Sequence, residues 1–141
     1  MMDIEKTLHI NAPASKVWNT LTDPALMKLW VSDSEINITT TWEPGSPVVF
    51  CGNLHGIIYD SKGTVLQCER EKLLQYNFWT SLSQHEDVPE NYSVITYRLI
   101  AVNDQTTLAF TQTNFVTEVS YKHFYFYWNV ALELMKNLSE Q

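Results

Sequence analysis

Between Thr117 and Leu138 apolar side chains recur every three or four residues: Tyr121, Phe124, Tyr125, Trp128, Ala131, Leu132, Met135 and Leu138. That period is the signature of an amphipathic helix, and at 1.5 Å per residue it would run roughly 33 Å, enough to cross a whole sheet. Thr117 supplies a side-chain oxygen to cap its first turn, and Glu118 suits the positive end of its dipole. A single long helix with one sticky face must lie on something, and the preceding eighty residues offer a sheet.

Those residues change period. From Ser34 to Thr113 short strand-like runs alternate with turn chemistry: Glu35–Trp42, Val48–Cys51, Gly56–Tyr59, Thr64–Glu69, Lys72–Thr80, Tyr92–Ala101 and Thr106–Thr113. Glu43-Pro44-Gly45-Ser46-Pro47, Gly52-Asn53, Ser61-Lys62-Gly63 and Val102-Asn103-Asp104-Gln105 read as turns, and Ser83–Glu90 as a longer acidic loop. Short links between sequential strands predict an antiparallel sheet. Ahead of them, Ile4–Ile10 alternates as a half-buried strand, Pro13–Leu21 reads as a helix, and Asp23-Pro24 opens a second short helix carrying Leu26, Leu29 and Trp30. The order is strand, two short helices, about six strands and one long helix: an α+β domain with helices on one face of a curved antiparallel sheet. Length agrees, since 141 residues without a repeat or linker make one domain over 1–141.

Charge narrows the function. Sixteen acidic against nine basic residues leave a net charge of −7, with Arg70 and Arg98 as the only arginines. No Lys/Arg cluster is present to displace phosphate counterions, which excludes nucleic acid as a partner and disfavours an anionic lipid surface. No apolar run approaches the length of a spanning helix, and the opening residues carry no long apolar stretch of the secretory kind, so a cytoplasmic location is expected. Cys51 and Cys68 lack CxxC spacing and are expected to be reduced and mostly buried. His9, His55, His85 and His123 show no metal-ligand spacing, and neither G-x-S-x-G nor a phosphate-binding glycine loop occurs. Neither metal, cofactor nor catalytic residue is assigned; His123 and Glu43 are the sole acid–base nominees.

Several stretches resemble a known family: Ile10-Asn11-Ala12-Pro13 with Val17-Trp18, Leu21-Thr22-Asp23-Pro24 through Leu29-Trp30, Gly63-Thr64-Val65, Leu74-Gln75-Tyr76-Asn77-Phe78-Trp79, Thr107-Leu108 and Trp128-Asn129. With the element order, they resemble the helix-grip fold of the START-like (SRPBCC) superfamily, and within it the activator of heat-shock-protein-90 ATPase homologue-like group. The resemblance implies a sheet of six or seven strands wrapped around the C-terminal helix, with a cavity between them. Superfamily members hold lipids, sterols, polyketides and other apolar ligands there, whereas the group's namesake stimulates a chaperone ATPase.

What the chain would build such a cavity from is its aromatic content: five Trp, seven Tyr and six Phe. Alternation places Tyr76 and Phe78 on one face of their strand, with Tyr97 and Phe110 on the matching faces of two others, while Arg98 points away. These rings, with Tyr121, Phe124 and Trp128 of the last helix, either wall a cavity for a small apolar ligand or fill the same space as core. Trp30 and Trp42 lie near loops and are expected to close a mouth. Phe126 and Tyr127 make the first turns of the helix aromatic on several faces, which fits either a monomer or a homodimer.

Overall fold

The computed structural model describes residues 2–141. Seven strands form one sheet: β1 (Ile4–Ile10), β2 (Ile36–Thr40), β3 (Pro47–Leu54), β4 (Ile57–Glu69), β5 (Leu73–Thr80), β6 (Ser93–Val102) and β7 (Gln105–Thr113). Two short helices, α1 (Ala14–Thr22) and α2 (Pro24–Met27), follow β1, and α3 (Glu118–Ser139) ends the chain. The strand order is β1-β7-β6-β5-β4-β3-β2, and every pairing is antiparallel. Strands β2 to β7 are a meander in which each pairs with its sequence neighbour. Only β1 travels, docking on β7 with Leu8 opposite Leu108. This is the helix-grip α+β architecture expected.

The caps follow local chemistry. The Asp23 side chain accepts from the Ala25 amide with Pro24 in the first turn, and Thr117 accepts from the Ser120 amide to start α3. Helix α2 is a single turn, so Leu29 and Trp30 lie in the turn after it rather than within a helix.

Strand β4 is longer than its sequence suggests. Ser61-Lys62-Gly63 has turn composition, yet it lies inside a continuous strand of thirteen residues. Gly63 is there because the backbone of β5 comes very close: a Cβ on Gly63 would sit 1.6 Å from the Asn77 carbonyl oxygen. The Thr64 amide instead donates to the Asn77 side chain at 2.7 Å, and a bulge interrupts the pairing between Val65 and Gln67. A glycine kink beside a bulge is how a long strand coils. The turn expected at Gly52-Asn53 is likewise strand; the β3–β4 hairpin turns at His55-Gly56, where both residues have positive φ.

The core lies between the concave sheet face and the helices. Val17, Trp18 and Leu21 of α1 and Trp128, Ala131, Leu132 and Met135 of α3 are buried against Leu74, Tyr76, Ile95, Tyr97, Leu108 and Phe110 of the sheet. Cys51 departs from expectation: it occupies an outward position of β3 and is exposed, its thiol donating to Asp60 at 3.3 Å. Both cysteines are free. No helix among the described residues is long and apolar enough to cross a membrane.

Candidate functional site

The aromatic side chains form one continuous network through the space between sheet and helix. From the sheet side it runs Trp42–Tyr76 (5.8 Å between ring centroids), Tyr76–Tyr97 (6.2 Å), Tyr97–Phe110 (5.3 Å) and Phe110–Trp128 (4.3 Å). It then climbs α3 through Tyr127 and Phe124, which meets Phe78 edge-on at 5.8 Å, and reaches Tyr121 by way of Phe115. Offset and edge-on contacts of this kind exceed simple area burial by about 0.5–1.5 kcal/mol each. Eight of the nine aromatic residues singled out from the sequence meet here. The ninth, Trp30, is only 2% exposed, and its indole N–H donates to the Thr20 carbonyl at 2.8 Å, so it is held in the core under α1 and not at a mouth. Trp42 adopts φ +60°, unusual for so bulky a residue, and is held there by donating to the Thr22 carbonyl at 2.8 Å while its ring covers Tyr76.

Polar groups are threaded through this network. Gln112, fully buried, accepts from the Trp128 indole at 2.7 Å and donates to Ser93 at 2.9 Å. Tyr127 donates to the Val31 carbonyl at 2.5 Å and ties α3 to the chain after α2. Tyr76 and Tyr97 meet hydroxyl to hydroxyl at 3.2 Å, the sole side-chain hydrogen bond of either among the described residues. Whichever one donates, the other keeps a buried O–H with no acceptor. Burial pushes the Tyr76 phenol up to about 12 and raises the Tyr97 and Tyr127 phenols well above their ordinary value, so all three are neutral donors near pH 7.

A broader hollow of about 590 Å³ lies away from the rings, between Ala14, the Arg70–Lys72 turn and Leu99–Ala101. A cleft of about 30 Å³, room for about one water, opens at the N-terminal end of α3 beside this network. Its apolar wall is Phe78, Phe115 and Phe124; Ser93, Asn114 and Ser120 make the polar side. The loop after β5 covers it: His85 Nε2 lies 3.3 Å from the Ser120 hydroxyl, and the His85 carbonyl accepts from the Trp79 indole at 3.1 Å. Farther along the loop, Asp87 pairs with Lys62 at 2.5 Å and accepts from Tyr92, and these two bonds hold its carboxyl below the usual range.

Phe50, Gln112 and Phe115 were not singled out from the sequence, and Tyr127 was noted only as an aromatic on another face of the helix. Gln112 had a signal: it continues the inward positions Thr106, Leu108 and Phe110 of β7, where a polar residue must find a buried partner. His123 and Glu43 are exposed, His123 edge-on to Phe124 at 5.0 Å, and neither enters the interior. No cluster of three His, Cys, Asp or Glu suited to a metal ion occurs among the described residues.

Comparison with known proteins places this geometry in a family. The model for Activator of Hsp90 ATPase homolog 1-like protein matches residues 11–140. The solution structure of ChR145 from Cytophaga hutchinsonii is similar at TM-score 0.81 and 35% identity, covering 96% of this chain and 91% of that one. Protein CV1439 from Chromobacterium violaceum shares the fold at TM-score 0.83 and 14% identity over 99% and 98% of the two chains. The Aha1 dimer from Colwellia psychrerythraea does so at TM-score 0.76 and 24% identity over 99% and 97%. No curated protein matches the chain. With its family match spanning nearly every residue, the chain belongs to the Activator of Hsp90 ATPase homolog 1-like family.

Proposed function

We propose that the protein is a cytoplasmic binding module that takes a small, largely apolar molecule bearing one hydrogen-bond acceptor into the space between the sheet and α3. The observation that carries this reading is the Tyr76–Tyr97 pair: two phenols buried among aromatic rings share one hydrogen bond, so one donor is unspent. A buried donor without a partner costs about 1–3 kcal/mol, and a ligand carbonyl or ether oxygen placed against it recovers that energy. The rings supply apolar area at about 25 cal/mol per Å² removed from water.

Entry is at the cleft beside α3. The Phe78–Phe124 contact stands between the cleft and Phe50, which packs on Tyr76 in turn. Rotation of Phe124 off Phe78, with release of His85 from Ser120, enlarges the cleft inward; both contacts are weak enough to exchange. The test is titration with aromatic ketones and with their deoxygenated hydrocarbons, followed by NMR at the Trp128 indole N–H. Saturable shifts with the ketones that weaken at least tenfold in Y76F/Y97F support the reading. No shift with any compound, or equal affinity for ketone and hydrocarbon, counts against it.

A second reading, regulation of a chaperone ATPase, is favoured by family membership and by Ile57 and Ile58, 58% and 74% exposed beside the β3–β4 turn. Adding the protein to an Hsp90-type chaperone and measuring ATP turnover tests it: stimulation lost in I57D/I58D supports this reading, and an unchanged rate removes it.

A further inference from the structure

Opposite its core face, α3 carries a second apolar line. Val119, Phe126, Val130 and Leu134 are 79%, 74%, 54% and 44% exposed. Their spacing puts them on one stripe, about half a turn round the helix from Trp128, Ala131, Leu132 and Met135. Single exposed apolar residues are ordinary, but four in line over about 22 Å of helix, interrupted by His123 between Val119 and Phe126, form a patch.

Charges along one flank of this stripe indicate what covers it. In chain order they read Glu118, Lys122, Glu133, Lys136, acid and base at each end. Glu118 and Lys122 pair with each other at 2.8 Å, whereas Glu133 and Lys136 have no ion partner among the described residues. We propose that the stripe is a self-association surface on which α3 of a second copy packs antiparallel, related by a two-fold axis perpendicular to the helix.

A two-fold axis of that kind sets each flank against the same flank of the second copy, with chain direction reversed. One register then brings Lys122 opposite Glu133 of the second copy and Glu118 opposite its Lys136, each twice. The same register lays Phe126 against Val130 and Val119 beside Leu134, all within about 3 Å of helical rise. Parallel packing sets this flank against the opposite one, where Ser120, Tyr127 and Leu138 offer no charge, so only the antiparallel arrangement pairs these acids with these bases. A single helix pair of this length lies at the low end of specific interface areas, so the dimer is weak and depends on concentration.

Sedimentation equilibrium on the whole chain from about 1 µM to about 1 mM, the range such an area implies, tests this. A reversible monomer–dimer equilibrium is expected. F126E weakens it at least tenfold, and K122E and E133K each weaken it severalfold. The double reversal K122E/E133K restores it, because the crossed pair is rebuilt with its signs exchanged. Thermal melting monitors the fold of every variant, and these exposed positions leave it unchanged. A protein monomeric throughout overturns the proposal and leaves the stripe to a different protein. A dimer indifferent to F126E, or a double reversal no better than the single ones, overturns it as well by locating the contact elsewhere.

Discussion

The indole N–H of Trp128 donates to the side-chain oxygen of Gln112 at 2.7 Å, in the middle of the aromatic core. One bond thus fixes the rotation of α3 relative to β7, because the fully buried Gln112 is itself held by Ser93. The aromatic network above and below depends on that rotation: Phe110 meets Trp128 at a tilt and Tyr97 meets it edge-on only when the helix presents it to the sheet here.

Gln112→Leu therefore leaves the Trp128 N–H buried without an acceptor, and the expected loss is about 2–3 kcal/mol. Trp128→Phe in the Gln112→Leu background removes the orphan, so the double variant loses less than the two single losses added together. Urea unfolding of the four proteins checks the cycle.

The tyrosine pair behaves differently under substitution. Tyr76→Phe or Tyr97→Phe removes the shared bond and leaves one lone hydroxyl; replacing both leaves none. The doubly substituted protein is expected to be at least as stable as either single variant. A double variant less stable by the full sum of both losses counts against an unspent proton at this site.

At Gly63 the prediction is steric. A methyl group there meets the Asn77 carbonyl at 1.6 Å, so Gly63→Ala costs about 3 kcal/mol or more. Gly45→Ala serves as the comparison: Gly45 has φ +89° but open space around it, and its loss is the left-handed backbone term alone, about 1–2 kcal/mol. Thermal denaturation of the two variants separates close approach from backbone conformation.

The buried phenols set the alkaline limit. Tyr76 is raised from an ordinary value of 10.0 to about 12, and Tyr97 is raised as well. The native state keeps its phenolic protons at a pH where the unfolded chain has lost them. Stability from Tyr76 is thus complete below about pH 10 and is lost as pH rises to about 12, by up to about 1.4 kcal/mol per pH unit, and Tyr97 acts in the same direction. Tyrosinate absorbance and unfolding free energy measured together should show these tyrosines ionising only as the protein unfolds.

How much of this was legible in the residues differs by element. Strand β1 and helix α3 follow periods that one face against water enforces, and Thr117 and Asp23 cap where side-chain chemistry says they should. Strand β4 was divided at Ser61-Lys62-Gly63 because a kink in a strand and a turn between strands draw on the same residue types; only the approach of Asn77 distinguishes them. The inward faces of β5, β6 and β7 were readable by alternation and that of α3 by its helical period, which is why Tyr76, Phe78, Tyr97, Phe110, Tyr121, Phe124 and Trp128 meet, while Trp42 joins them from a loop. Whether their rings enclose a void or close it depends on rotamers and sheet curvature, neither of which has a period. Trp30 looked like a gate residue because loops flank it, yet its indole reaches back to Thr20, a contact that spacing does not encode.

Native mass spectrometry of the purified protein, before and after exposure to the aromatic ketones and set beside its denatured mass, is the most direct test that the interior opens. A bound mass of a few hundred daltons, roughly that of a pocket-sized ligand, is expected, released on denaturation and weakened in Y76F/Y97F. A bare mass under every condition, or a ligand retained equally by the double variant, would contradict it.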